Sequence, residues 1–285
     1  MSSYSEKSIR VTITLDSGSG IGEQMVFEDF AIQVVVQKQG APELPKASVV
    51  IYGLTLETMS QLTMLSFDAL SLKKNVIEIA AGEKGRPLAV IFQGEIVQSS
   101  PDFSSAPSPG MRIDAITSAY PKLIPLSPVA VKGSQAASDL CASFAAQAGL
   151  SFESIDVSAQ LANCVVSGDP IQKMRWIADS IGADLIIDDD RAVLMGRGST
   201  RGEEQTIDLI SPENGEIGYP SFDNLGIRCS CFFQPGLKVA GYFRLESSFK
   251  RASGVWKIYS LTHSLAANCP SGGPWKTDVA ATWIE

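Results

Sequence analysis

Histidine is almost absent: His263 is the only one in the 285 residues. That excludes His-rich metal sites and leaves one imidazole as a general base. No Gly-x-Ser-x-Gly turn leads from a strand into a helix, so a nucleophile elbow is not expected either, and a Ser-His-Asp site is recognised by geometry rather than by the presence of the three residue types. Lys and Arg form no run, and 23 of them stand against 31 Asp and Glu for a formal net charge of −8. Binding to a phosphate backbone draws on clustered cations, so stable nucleic-acid binding is not expected. Apolar runs are broken every few residues by charge, Gly or Pro and fall far below the ~20 residues of a membrane helix, which argues against membrane insertion. The N-terminus MSSYSEKSIR lacks the apolar core of a secretory signal, the pattern of a chain synthesised in a cytoplasm. Cys141, Cys164, Cys229, Cys231 and Cys269 make an odd count of five, which favours free, mostly buried thiols over a disulfide framework. No repeat of solenoid period is present.

What the chain has is alternation. Ile9, Val11, Ile13 and Leu15 fall at period two, the pattern breaks at SGSGIG, and it resumes at Phe30, Ile32, Val34 and Val36. Further strands are expected over Ser48–Tyr52, Asn75–Ala80, Leu88–Ile96 and Arg112–Thr117, with one short helix in LETMSQLTML at Leu56–Leu65. Gly18, Gly20 and Gly22 follow a strand as a phosphate-binding loop would, but the next residues, EQMVFEDFAIQVVV, are strand-like, and a nucleotide site needs a helix N-terminus there. The glycines are therefore assigned to a hairpin loop. The stretch Ser99–Gly110, SSPDFSSAPSPG, is too polar and Pro-rich to pack by itself and is expected to be a loop that orders at an assembly contact, with Phe103 as its contact residue.

Composition changes after the connector LIPLSPVAVKGS. Ser134 is placed to cap a helix whose stripe is Ala137, Leu140, Cys141, Phe144, Ala145 and Ala148, with Gly149 ending it. Asp169-Pro170 announces a second helix carrying Ile171, Met174, Ile177, Ala178 and Ile181 on one face, closed by Gly182. Trp176 lies off that face, so contact with a neighbouring domain or subunit is expected of it. ADLIIDDDRAVLMG reads as a hairpin whose turn, Asp188 to Asp190, lacks the ligand spacing of a calcium loop and is assigned to solvent. Cys229 and Cys231 flank one residue, so on a strand they share a face, and no second pair completes a zinc site. No cofactor or metal is expected.

The C-terminal part reads as an antiparallel meander: GIRCSCFFQPGLKVAGYFRLE, then VWKIYSLTHSLAANCPSGGPWKTDVAATW. Its Gly-led strand, Pro-Gly break, strand ending in Leu-Glu, Gly-Trp strand leading to Thr-His-Ser-Leu, and closing Gly-Gly-Pro-Trp-Lys-Thr resemble the last domain of the baseplate hub proteins of contractile-tailed bacteriophages. The hub portion of type VI secretion spikes is related. A loose echo between IFQGEIVQ…MRIDAIT and VAGYFRLE…VWKIYSLTH fits two related β regions.

The resemblance implies a mainly β fold with an α+β insertion: a tail-tube-like antiparallel barrel or split barrel over 1–131, the insertion over 132–201, and a second such domain over 202–285. It implies a non-enzymatic structural role, a homotrimer forming a pseudo-hexameric ring, and partners in a separate spike protein, the tail tube or its initiator, and other baseplate proteins. The chain would sit in the virion tail and let DNA pass. The separate spike is expected because no spike region follows ATWIE. In the resemblance His263 is structural and Trp275 packs near the end of the final strand; Trp275 joins Trp176 and Phe103 as interface residues. The rivals are a tail-associated cell-wall hydrolase, which needs paired carboxylates or a metal in a cleft, and a carbohydrate-binding tail-tip module, which needs an aromatic platform.

Overall fold

A computed structural model describes residues 5–16, 22–40, 43–64, 75–104, 108–118, 127–199, 201 and 208–283. Gly18, Gly20, the connector residues 123–126 and positions 105–107 of the Pro-rich loop lie outside the described residues.

In the first region, period-two alternation becomes β1 (Lys7–Thr14), β2 (Gln24–Phe27), β3 (Ala31–Gln39) and β4 (Lys46–Tyr52), followed by α1 (Leu56–Leu62), β5 (Val76–Glu83), β6 (Ala89–Asp102) and β7 (Gly110–Ile116). Ile9, Val11 and Ile13 of β1 and Ile32, Val34 and Val36 of β3 point into one apolar cluster with Phe92 and Ile113. The Thr55 hydroxyl caps α1 by accepting from Thr58 N at 3.2 Å, and Met59 and Leu62 anchor the helix in that cluster. The helix stops at Leu62, short of the expected Leu65. Strand β6 runs on through Ser99–Asp102, residues assigned above to a loop, because each finds a partner in β7, from Ser99 opposite Ile113 to Asp102 opposite Gly110.

The middle of the chain holds β8 (Val129–Ala136), α2 (Ala137–Gln147), β9 (Ser151–Ile155), β10 (Gln160–Val166), α3 (Pro170–Ile181), β11 (Asp184–Asp188) and β12 (Arg191–Met195). Ser134 does not cap α2. β8 continues to Ala136, and the Ser134 hydroxyl instead bonds the Gln160 side chain across the β8–β10 pair. Gly149 (φ 73) does end α2. On α3 the capping box is complete: Asp169 accepts from Gln172 N at 2.8 Å, the Gln172 side chain returns to Asp169 N, and Gly182 closes the helix at φ 68. Asp169→Ala should cost about 1 kcal/mol in the unfolding of this module, read by urea titration. A change under a few tenths would mean that the box is redundant with packing.

The last region comprises β13 (Asp208–Ile210), β14 (Glu216–Phe222), β15 (Ile227–Phe232), β16 (Tyr242–Leu245), β17 (Gly254–Ala267) and β18 (Trp275–Trp283). Among the described residues, the strands of the first and last regions share one 13-stranded sheet, ordered β14-β15-β18-β17-β3-β4-β7-β6-β5-β1-β2, with β16 alongside β17 and β13 alongside β16. The fold is mainly antiparallel β, and its main sheet is open, so of the two forms expected it is the split one.

Within that sheet the two regions repeat one order. The first runs β3-β4-β7-β6-β5-β1 and the last β14-β15-β18-β17-β16-β13, so that in chain order β3, β4, β5, β6 and β7 correspond to β14 through β18; β1 and β13 take the same place in the order, but β1 lies antiparallel to β5 whereas β13 lies parallel to β16. Registers agree: Ile96 pairs with Ala115 just before a bulge in β6, and Ile258 pairs with Ala281 just before a bulge in β17. The sequence echo was therefore offset by one strand. IFQGEIVQ and MRIDAIT (β6, β7) match β17 and β18, not β16 and β17. The two regions meet where Ser260–Ala267 of β17 lies antiparallel to Ile32–Gln39 of β3.

Candidate assembly interface

The hairpin β11–β12 points its acidic turn at the joint between the two sheet regions. Asp188 and Asp189 are not in solvent. Lys38, an inward-facing residue of β3, places Nζ 2.6 Å from Asp188 Oδ1 and 3.0 Å from Asp189 Oδ2, and Arg201 binds the other Asp188 oxygen at 2.8 Å. The Gln93 backbone N–H of β6 donates to Asp189 Oδ1 at 3.1 Å. One carboxylate pair thus ties the insertion to β3 and β6 of the first region. The assignment to a solvated turn fails because the partner cation lies 150 residues away in the chain.

Burial opposes the Lys38 ammonium, but Asp188 and Asp189 outweigh it and its pKa rises above the ordinary lysine value. Burial likewise opposes ionised Asp188, yet Lys38 and Arg201 hold its carboxyl below the usual range. For Asp189, burial wins, helped by the neighbouring Asp188 charge, and its pKa is raised.

His263 lies in this joint, inside β17 and opposite Val36 of β3. It is buried, with Nδ1 2.9 Å from Thr277 Oγ1 and its ring edge-to-face with Phe233 at 5.3 Å. Burial, reinforced by Lys38, depresses its pKa to about 3. A general base poised near neutrality is thus not available at this position. Cys229 and Cys231 share the buried face of β15, and burial pushes both thiols up to about 12. No disulfide occurs among the described residues, and they contain no group of three or more His, Cys, Asp or Glu able to hold a metal. No helix among them is long and apolar enough to cross a membrane.

The three expected contact residues lie on or beside different elements. Trp275 packs within the chain, edge-to-face with Phe233 at 5.4 Å and beneath Lys7 Nζ at 5.8 Å. Trp176 is 40% exposed on α3, and Phe103, just past the end of β6, is 55% exposed. Sequence reasoning missed the exposed apolar side chains around β14, where Tyr219 is 80% and Phe222 52% exposed and Phe222 stands edge-to-face with exposed Phe249 at 5.9 Å. The signal was present in EIGYPSF: two aromatics on a short strand that carries no buried residue.

The family model described as "Baseplate hub gp41" matches residues 8–269. Among curated proteins none matches. The chain is similar in structure to the tail protein from Neisseria meningitidis MC58, at a TM-score of 0.64 and 10% identity, covering 96% of each chain. It is equally similar to the 43 kDa tail protein of prophage MuSo2 from Shewanella oneidensis, at 0.64 and 8% identity, covering 98% of this chain and 97% of that one. A third neighbour is the E. coli c3393 protein, a component of the type VI secretion system with structural similarity to T4 bacteriophage tail proteins gp27 and gp5. That match has a TM-score of 0.59 and 10% identity over 90% of this chain and 74% of the other.

Proposed function

The chain belongs to the baseplate hub gp41 family and is a structural component of a phage tail; from that premise we propose that three copies close a ring which adapts a sixfold tail tube to a threefold central spike. The observation that carries this reading is the repeated strand order. A chain with one such region would make a ring of six by sixfold repetition, whereas a chain with two reaches six similar positions with three copies. One face of such a ring can meet a hexameric tube, and its true threefold symmetry meets a trimeric spike.

The division into 1–131, 132–201 and 202–285 is part of the proposal. Three apolar clusters support it, one built mainly from β1–β7, one from the helices and β11–β12, and one from β13–β18. The crossovers are few: Leu265 and Ala267 reach into the first cluster, Leu44 into the insertion's cluster, and Ile186, Val193 and Met195 into the third region's core. The buried Lys38–Asp188–Arg201 network then acts as the pin that fixes the insertion at the joint of the two tube-like regions. A formal net charge of −8 suits a lumen that must pass DNA without retaining it. A ring that transmits contraction is a permanent assembly, so each pair of chains should bury on the order of 2,000 Å² or more. Tube, spike and other baseplate proteins are the proposed partners, with Trp176 and Phe103 among the contacts.

Averaged images of the assembled baseplate test the reading. Threefold density at the hub level, with six similar β lobes, is the expected result. A sixfold ring of this chain, or one copy per baseplate, would overturn it.

A further inference from the structure

The joint inside the chain specifies what a joint between chains would look like. β17 serves two neighbours along one edge: it pairs with β16 through Gly254–Lys257, bulges at Tyr259, and then pairs with β3 over Ser260–Ala267. Its counterpart β6 pairs with β5 over Ala89–Glu95 and bulges at Val97. Beyond that bulge the same edge carries no strand among the described residues. Only Met64 reaches it, with a single N–H to Ser99 O at 2.8 Å.

The other half of the joint is also unmatched. β3, which receives β17, has β14 as its counterpart, and among the described residues β14 pairs on one side only. Where β3 buries alternate residues, β14 buries none. Among the described residues, the stretch of β6 beyond Ser99 and the outer edge of β14 are thus the two halves of one repeated contact left without a strand, each fringed with exposed apolar side chains.

We propose that β14 of one copy docks antiparallel on the outer edge of β6 of the next, repeating between chains the β3–β17 joint. This rests on the trimeric-ring reading and assigns its seam. The register follows from the repeat. Ala47 and Ile227 are equivalent, since they pair with the equivalent residues Ala115 and Ala281; their partners Val36 and Phe222 are therefore equivalent too. Val36 faces His263, which lies five residues past Ile258, and Pro101 lies five past Ile96. Phe222 therefore faces Pro101 of the neighbour, and Ser221 faces Asp102. Met64 occupies Ser99, so the ladder stops short there. Side chains carry the rest: Tyr219 and Phe222 of one copy against Phe103 and the end of β6 of the next. Pro101 offers no N–H and Pro220 of β14 none either, a composition that keeps an edge from pairing indiscriminately while a matched partner is absent.

The test uses the full chain carrying Asp102→Cys and Ser221→Cys, treated with a short bis-maleimide in the assembled state, alone or with its tail partners. The expected result is a covalent ladder up to three chains, absent from each single variant and from the native chain with its own thiols. Phe222→Arg, an exposed position, should leave the monomer's melting temperature unchanged and raise the concentration needed for assembly at least tenfold. If trimers form by mass yet the pair does not link and Phe222→Arg assembles normally, the seam is wrong while the ring stands. If no state of the protein contains more than one copy, the ring reading fails and the seam with it.

Discussion

Replacing Lys38 with Met lowers the free energy of unfolding by about 3–5 kcal/mol, as removing one partner of a buried ion pair does. Nζ is within 3.0 Å of both Asp188 and Asp189, and all three side chains are largely withdrawn from water. Without the ammonium, Arg201 still neutralises Asp188, but Asp189 is left charged beside it with only the Gln93 N–H. The double variant Lys38→Met/Asp189→Asn removes one charge of each sign and should recover a large part of the loss. Urea unfolding of the two variants against the native chain decides the matter. A loss below 1 kcal/mol for Lys38→Met, or no recovery in the double variant, would mean that the network is incidental to the joint.

The same network gives a pH dependence with a definite sign. The Asp188 pKa is depressed in the folded chain, so its contribution is present above the unfolded value of ~4 and is lost as pH falls through the lower folded value. The Lys38 pKa is raised, so its contribution is complete below ~10.4 and is lost as pH climbs through the folded value. Asp189 runs opposite to Asp188: its raised pKa means that it takes up a proton first on acidification and slightly relieves the crowding. The ion pairs of the joint should therefore hold from about pH 5 to about pH 10 and loosen outside that window. His263 also acts on the acid side: its pKa of about 3 in the folded chain lies below the ordinary ~6.5, so the unfolded chain takes up the proton first and overall stability declines as pH falls below ~6.5.

Phe243→Ala is the second large effect, at about 3–5 kcal/mol. The ring is fully buried at the centre of the cluster that unites β15, β16, β17 and β18. β16 is four residues long and is held by only a short parallel pairing with β13 and an antiparallel one with β17. Removing the ring leaves a cavity that so short a strand cannot close by shifting, since its register is fixed on both sides. Phe232→Ala is the control: its side chain lies on the outer face of β15, and its loss should stay within about 0.5 kcal/mol. Equal losses for the two would show that the cluster is not the core of the last region.

Local patterns in the sequence carried most of the elements. Alternation located β1, β3, β4, β7 and β17, because each is half buried and its face is set by neighbours of the same kind. Asp169-Pro170 and Gly182 located α3, because capping is decided within one turn. What escaped depended on distant residues. Asp188 and Asp189 look like a solvent-facing turn until Lys38 arrives from β3. Ser134 has the right chemistry for a cap but is taken by Gln160 across a strand pair that nothing local announces. Ser99–Asp102 is polar enough for a loop and becomes strand because β7 pairs with it. The repeat was faintly visible, yet its correct alignment lies in pairing registers and bulge positions, and similarity of side chains matched the wrong strands.

The surface around β14 shows the same limit from the other direction. Tyr219 and Phe222 lie on a strand whose one paired edge faces β15, and only the comparison with β3 shows that the other edge has a counterpart waiting on β6. A strand edge left open in one copy and matched elsewhere in the same chain is what a closed ring of identical chains requires.

The ring itself is tested most directly by native mass measurement of the chain, alone and with its spike partner. The account predicts three copies per assembly in at least the spike-bound state. A single copy in both states, or six copies, would contradict it.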